Sequence, residues 1–262
     1  MRILVTGASR GIGAAICRRL LRDRPAETGA PLKLALAASR DSEALQEMDR
    51  KAREAGAESL ALTGDLADPE VPARLVEQSC TAFGGLDALI ANAGISPVAS
   101  LAELPLEGWE RVMNLNLRSA WLLAKAAHPA LSDSGGQIVT VASMSGVNPQ
   151  PGMGAYSVSK AGLIMLTRLM AQEWAADGLR VNCVSPGMVL TPMTEANYAD
   201  EDFKRRREAL SPIPRIGDAE DDIAGVVSFL LSADAGYMTG QNLLADGGLS
   251  DSILRVLPKR QG

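Results

Sequence analysis

Short apolar runs alternate along this chain with longer stretches in which apolar residues recur at helical spacing. The runs at 2–6, 33–38, 59–62, 86–91, 137–142, 179–184 and 241–245 read as strands. The stretches at 11–22, 41–55, 69–83, 105–131, 156–176 and 218–231 read as helices. In the first of these, Ile12, Ile16, Leu20 and Leu21 share one face. Strand–helix alternation with crossovers of this length predicts a parallel sheet covered by helices on both faces. The expected architecture is therefore a doubly wound α/β sheet, with residues 1–262 as a single domain. Two places break the rhythm. Residues 23–32 (DRPAETGAPL) read as turn-rich, and 188–214 show no clean strand and read as a loop–helix insertion.

Composition narrows the function. Of 262 residues, 47% are hydrophobic, enough for one large core. The net charge of -5 and the low aromatic content (three Trp, three Tyr, three Phe) argue against a nucleic-acid partner. The single histidine, His128, removes two-histidine metal motifs, so no metal site is expected; it also leaves any Ser-His-Asp hydrolase dependent on that one residue. Three scattered cysteines, Cys17, Cys80 and Cys183, offer neither a disulfide framework nor a CxxC site and fit a reducing compartment. No signal peptide and no membrane span can be read, so the expected location is cytoplasmic.

The first strand runs into Thr6-Gly7-Ala8-Ser9-Arg10-Gly11-Ile12-Gly13 and then directly into a helix. A helix N-terminus attracts anions through its N–H groups and dipole. Glycines at 7, 11 and 13 would permit a tight turn and close approach of a pyrophosphate. The spacing is GxxxGxG and resembles the TGxxxGxG motif of the short-chain dehydrogenase/reductase family. The resemblance extends to about Gly248, and it looks closest to 3-oxoacyl-carrier-protein reductases and related ketoreductases. It implies a Rossmann-type, seven-stranded parallel sheet and a nicotinamide dinucleotide cofactor.

Further positions fit such a ligand. A carboxylate ending the second strand would favour NAD, and a cation the 2′-phosphate of NADP. The family's Asp position falls on Ser39, followed by Arg40, and Arg10 lies within the glycine loop. These three residues point to NADP(H); a register displaced by two would put Asp41 there instead. Asp65-Leu66 resembles the family's adenine-contacting site, and Asn92-Ala93-Gly94 its NAG motif. Pro186-Gly187-Met188-Val189-Leu190-Thr191 resembles the PG motif beside the nicotinamide, with Val189 and Thr191 implied to contact the carboxamide.

The candidate reacting groups are Tyr156 and Lys160, one helical turn apart, with Ser143 at the end of the fifth strand. Reduction of a ketone needs a proton on oxygen, and a phenol titrating near 10 is a poor donor at neutrality unless a neighbouring ammonium lowers its pKa. Lys160 is expected to do so. Ser143 would hold the carbonyl oxygen. This constellation resembles the family's Ser…YxxxK signature, which adds Asn116, with Asn114 two residues earlier as the alternative, as holder of a water that links Lys160 to solvent. Ser143, Met144, Ser145, Met153, Tyr156, Met188 and Met193 are the expected substrate pocket, under a lid at about 188–214.

The expected function is NADP(H)-dependent interconversion of a ketone and a secondary alcohol, on a free small or medium ketone. A carrier-bound 3-oxoacyl substrate is the alternative. It needs basic residues for an acidic carrier, which 132–137 and 172–177 lack and only Lys204–Arg207 (KRRR) could supply. A nucleotide-sensing protein without chemistry is the distant alternative. The long helices and the apolar tail at 249–262 lead us to expect a homodimer or homotetramer.

Overall fold

The computed structural model describes residues 1–28 and 31–252. Seven parallel strands, β1 (Arg2–Thr6), β2 (Lys33–Ala38), β3 (Glu58–Thr63), β4 (Ala88–Ala91), β5 (Gln137–Val141), β6 (Arg180–Pro186) and β7 (Asn242–Ala245), form one sheet in the order β3-β2-β1-β4-β5-β6-β7. This is the expected seven-stranded, doubly wound Rossmann-type sheet.

Side-chain alternation explains the layers. In β1, Ile3 and Val5 face one core, which holds residues of α1 (Gly11–Thr28), α2 (Glu43–Glu54) and α9 (Gly225–Leu230). Leu4 faces the other, with residues of α3 (Val71–Phe83), α5 (Ser119–Ser134) and α6 (Gly154–Trp174). All three strand residues are fully buried, each side chain contributing about 1.5–3 kcal/mol. The chain leaves β1 for β2 on one side, and β4 pairs on the other. That reversal opens a crevice at the carboxyl ends of the strands. Thr6 is level with Ala37, so β1 and β2 present their ends to that crevice together.

Three expectations need correction. The 23–32 stretch is not all turn: α1 continues to Thr28. Buried Arg24 anchors it, donating from Nη2 to the Ser228 carbonyl (2.8 Å) and hydroxyl (2.9 Å), so tertiary contact outweighs the helix-breaking Pro25. The helix read at 105–131 is α4 (Leu106–Met113), a π-helical turn at Asn114–Arg118, and α5. The one read at 218–231 likewise opens with a π-helical turn, Ala219–Ala224, before α9. The 188–214 insertion holds two short helices, α7 (Glu195–Tyr198) and α8 (Glu201–Glu208). Of the apolar tail, residues 253–262 lie outside the described residues.

Candidate active site

A cavity of about 390 Å³ lies at the carboxyl ends of β1 to β5. Its floor is the glycine loop, with Gly7, Ser9, Arg10, Gly11 and Ile12 leading into α1. Gly7 and Gly11 have positive φ (68° and 56°), which turns the loop tightly out of β1. A Cβ on Gly13 would lie 2.1 Å from the Gly7 carbonyl oxygen, so only glycine lets α1 start this close to the loop. Asn92 locks the loop to β4: its Nδ2 donates to the Thr6 carbonyl (2.9 Å), and its N–H donates to the Thr6 hydroxyl (3.1 Å). The N-terminus of a helix behind an open glycine cradle suits a pyrophosphate.

The flank of the cavity is lined by Ala37, Ala38, Ser39, Gly64, Asp65 and Leu66. Ser39 thus faces the cavity, whereas the Asp41 carboxylate accepts from Gln46 Nε2 (3.1 Å) on α2. The register that would put Asp41 at the ligand is not the one observed. Arg40 is exposed and does not line the cavity; Arg10 does. Asp65 accepts from the Ala67 N–H (3.1 Å) and pairs with Arg111 Nη1 at 2.6 Å; the guanidinium holds its carboxyl below the usual range. Arg111 and Leu115 line the cavity too, and sequence spacing gave no sign of that pairing.

At the opposite end stand Tyr156 and Lys160, with Val141, Ala142, Asn92, Ala93, Gly94 and Ile95. Lys160 is buried, and its Nζ donates to the Val141 carbonyl at 2.8 Å. Burial pulls its pKa down to about 8, partly offset by Cys183 nearby. Burial pushes the Tyr156 phenol up, and a hydrogen bond with Ser143 draws it partly back. This is opposite to the lowering expected from Lys160. The lysine lies 5.8 Å from the tyrosine ring centre and is itself desolvated, so its charge has not been turned on the phenol.

The π-helical turn sets Asn116. Its Oδ1 accepts from the Ile95 N–H (2.9 Å), and its Nδ2 donates to the Ile95 carbonyl (2.9 Å) and the Ser159 hydroxyl (3.1 Å). Ser159 in turn donates to the Tyr156 carbonyl (2.7 Å). A Cβ on Gly94 would sit 3.2 Å from Asn116 Oδ1 and 3.4 Å from Lys160 Nζ, so both atoms border one small space. Ser159 was legible as part of YSVSK but carried no expectation.

Thr191, Pro192 and Met193 close the cavity from the far side. The Thr194 hydroxyl fixes this turn by donating to the Val189 carbonyl (2.6 Å). Pro186, Gly187 and Val189, expected at the cofactor, precede it in the chain and do not line the cavity; Gly187 packs on Asp246 so closely that a Cβ would come within 2.5 Å. Ser143 lies against Tyr156, and Ser145 is held by Gln150 (2.8 Å). Met144 follows Ser143 in a single 3-10 turn, and Met153 pairs with Ala99. Of the expected substrate-pocket residues, Tyr156 and Met193 line this cavity; Ser143, Met144, Ser145 and Met153 do not, and neither does Met188. It is buried against Arg207 (Nε to Sδ 3.0 Å) and lines a separate cavity of about 320 Å³.

Gly7-Ala8-Ser9-Arg10-Gly11 also has the GxSxG spacing of a hydrolase nucleophile turn. His128, the one available base, is instead engaged with Asp177 (2.9 Å) and edge-on to Trp174, and neither it nor those partners line the cavity with Ser9.

A family model described as enoyl-(acyl carrier protein) reductase matches residues 7–250. Dehydrogenase/reductase SDR family member 4 of Bos taurus is 37% identical over 94% of this chain and 85% of its own. 3beta-Hydroxysteroid dehydrogenase 1 of Eggerthella lenta is 34% identical over 95% of this chain and 93% of its own. Among solved structures, a short chain dehydrogenase from Burkholderia cenocepacia J2315 in complex with NADP is similar with a TM-score of 0.86 at 34% identity, covering 95% of this chain and 97% of that one.

Proposed function

From the premise that this chain belongs to the short-chain dehydrogenase/reductase family of oxidoreductases, we propose that it interconverts a free ketone and its secondary alcohol with NADP(H). The observation that carries this reading is the pair Tyr156 and Lys160, with Ser143 beside the phenol, at one end of a cavity whose other end is a glycine cradle. The residues fit the dinucleotide: a loop only glycines can form, a neutral Ser39 and a cationic Arg10 where a 2′-phosphate would lie. When bound, that cofactor supplies or accepts the hydride.

The protein's own groups handle the proton. Tyr156 gives its phenolic proton to the carbonyl oxygen in reduction and takes it back in oxidation. Ser143, beside that phenol, turns its one hydroxyl proton to the oxygen as charge builds there. Lys160 then restores the proton, and Asn116 borders the space through which it would reach solvent. The raised pKa keeps the Tyr156 phenol protonated at neutral pH, so it enters reduction holding the proton, and the Lys160 ammonium must turn toward it and lower that pKa for the proton to move.

A free ketone is favoured over a carrier-bound chain by the state of the one basic patch. Lys204 and Arg205 pair with Glu201 and Asp202, and Arg207 lies over the Phe203 ring (5.7 Å). Arg206, which is exposed, and Arg207 stay outside these carboxylate pairs, a small patch on which to dock an acidic carrier. The same proposal includes a lid over 188–214 and closed assembly of two or four copies. A panel of 3-ketoacyl thioesters, cyclic ketones and sugar-derived ketones, followed by NADPH oxidation, tests it. Turnover of at least one free ketone is expected; activity restricted to the carrier-bound form, and lost with added salt, would restore the alternative.

A further inference from the structure

We infer that the substrate taken at Tyr156 is uncharged and apolar, without a carboxylate or phosphate; this rests on the oxidoreductase reading above. Three segments frame the reacting end of the cavity. They are the loop after β4, the chain from the end of β5 to Tyr156, and the turn after β6. Residues 92–102, 141–159 and 184–194 contain no Asp, Glu, Lys, Arg or His. An anionic group on the substrate would find no side-chain cation along any of them.

The structure brings these segments together. The Ala99 N–H donates to the Gly152 carbonyl (3.0 Å), and Ala99 bridges Met153, tying the first loop to the turn that starts α6. Gly146 packs on the backbone of Lys160 so closely that a Cβ would lie 2.7 Å away, holding the second segment against α6. The third segment reaches the cavity through Thr191, Pro192 and Met193. What they present is apolar and open: Val98 is 81% exposed, Leu101 69% and Met193 58%. Val147 and Leu190 are exposed as well.

The charges that do line the cavity are spoken for. Among the described residues they are Arg10, Asp65, Arg111 and Lys160. Asp65 and Arg111 pair with each other, and Arg10 belongs to the glycine loop at the dinucleotide end. Lys160 is fully buried and directs its ammonium to the Val141 carbonyl. A carboxylate entering beside Tyr156 would lose its hydration and gain no partner, whereas an ester or hydrocarbon of the same shape would not. The apolar rim then contributes binding through burial of hydrocarbon.

The test measures binding and turnover with two matched pairs. These are 4-oxocyclohexanecarboxylate and its methyl ester, and 9-oxodecanoate and its methyl ester. Binding is followed by titration calorimetry with the catalytically silent Tyr156→Phe variant in the presence of NADPH. In at least one pair the ester is expected to bind about 100-fold more tightly than the acid. Met193→Arg supplies the missing cation and should narrow that ratio at least tenfold. Acids that bind as well as their esters in both pairs, or a ratio unmoved by Met193→Arg, would overturn the inference. Turnover by the wild-type protein is read separately. Ester binding without any ketone turnover would contradict the oxidoreductase reading and leave this one standing.

Discussion

Lys160 has the least ordinary environment of any charged residue here. Buried, with its pKa brought down from 10.5 to about 8, it titrates in the folded protein well before it does in the unfolded chain. Below pH 8 both states carry the proton, and the folded state bears the full desolvation cost. Between pH 8 and 10 only the unfolded chain binds it, so stability should rise with pH relative to a variant without the amine. Denaturant unfolding of the wild type and Lys160→Met across that window is expected to show the difference moving in favour of the wild type, by up to about 3 kcal/mol. A flat or falling difference would mean that the amine is not desolvated in solution. The candidate residues Ser143, Tyr156 and Lys160 were legible because their types and spacing resemble the family's Ser…YxxxK signature. Their titration was not, because desolvation depends on what packs around a group and not on its spacing in the chain. Ser39 makes a second residue-scale test. It faces the cavity at the end of β2, so Ser39→Asp should put a carboxylate against a 2′-phosphate. NADPH affinity, read by fluorescence titration, is expected to fall at least about tenfold relative to NADH. An unchanged ratio would place the nucleotide elsewhere.

At the scale of elements, α1 is held to β1 by a contact that tolerates no side chain. The missing atom at position 13 would meet the Gly7 carbonyl, which is backbone and cannot swing away. Gly13→Ala should therefore displace the helix from the loop. We expect a loss of about 1–3 kcal/mol in stability and a matching loss of cofactor affinity. An alanine variant with wild-type Tm and Kd would show that the helix can slide without cost. Strands and helices were readable from periodicity because both sheet faces are buried and apolar residues recur at helical spacing in the crossovers, on both faces in the case of α6. Where the reading failed, a local signal was outvoted. Pro25 and its polar neighbours suggested a turn, but buried Arg24 ties that end of α1 to Ser228. The π-helical turn at Asn114–Arg118 was hidden because it lies inside one continuous helical pattern, and an extra residue in one turn barely disturbs that pattern. That turn aims Asn116 into the site.

At the scale of the whole molecule, the described surface carries exposed apolar side chains on two of its helices. Val158, Met165 and Leu169 share a face of α6 and are each 44–60% exposed; Trp121 on α5 is 43% exposed. Such side chains favour burial against a second copy with closed symmetry. Sedimentation at micromolar concentration is expected to give a dimer or tetramer, and Met165→Glu with Leu169→Glu should shift it toward monomer. A wild-type monomer would end that proposal. No helix among the described residues is long and apolar enough to cross a membrane. Catalysis belongs to the whole molecule, and it is read from the hydride that the protein moves. NADPH carrying deuterium at the transferable nicotinamide position is mixed with a neutral ketone and the protein, wild type beside Tyr156→Phe. The wild type should place deuterium on the carbinol carbon, while the variant binds NADPH with unchanged Kd and transfers at least about 1,000-fold more slowly. Transfer by the variant at a near wild-type rate would contradict the account.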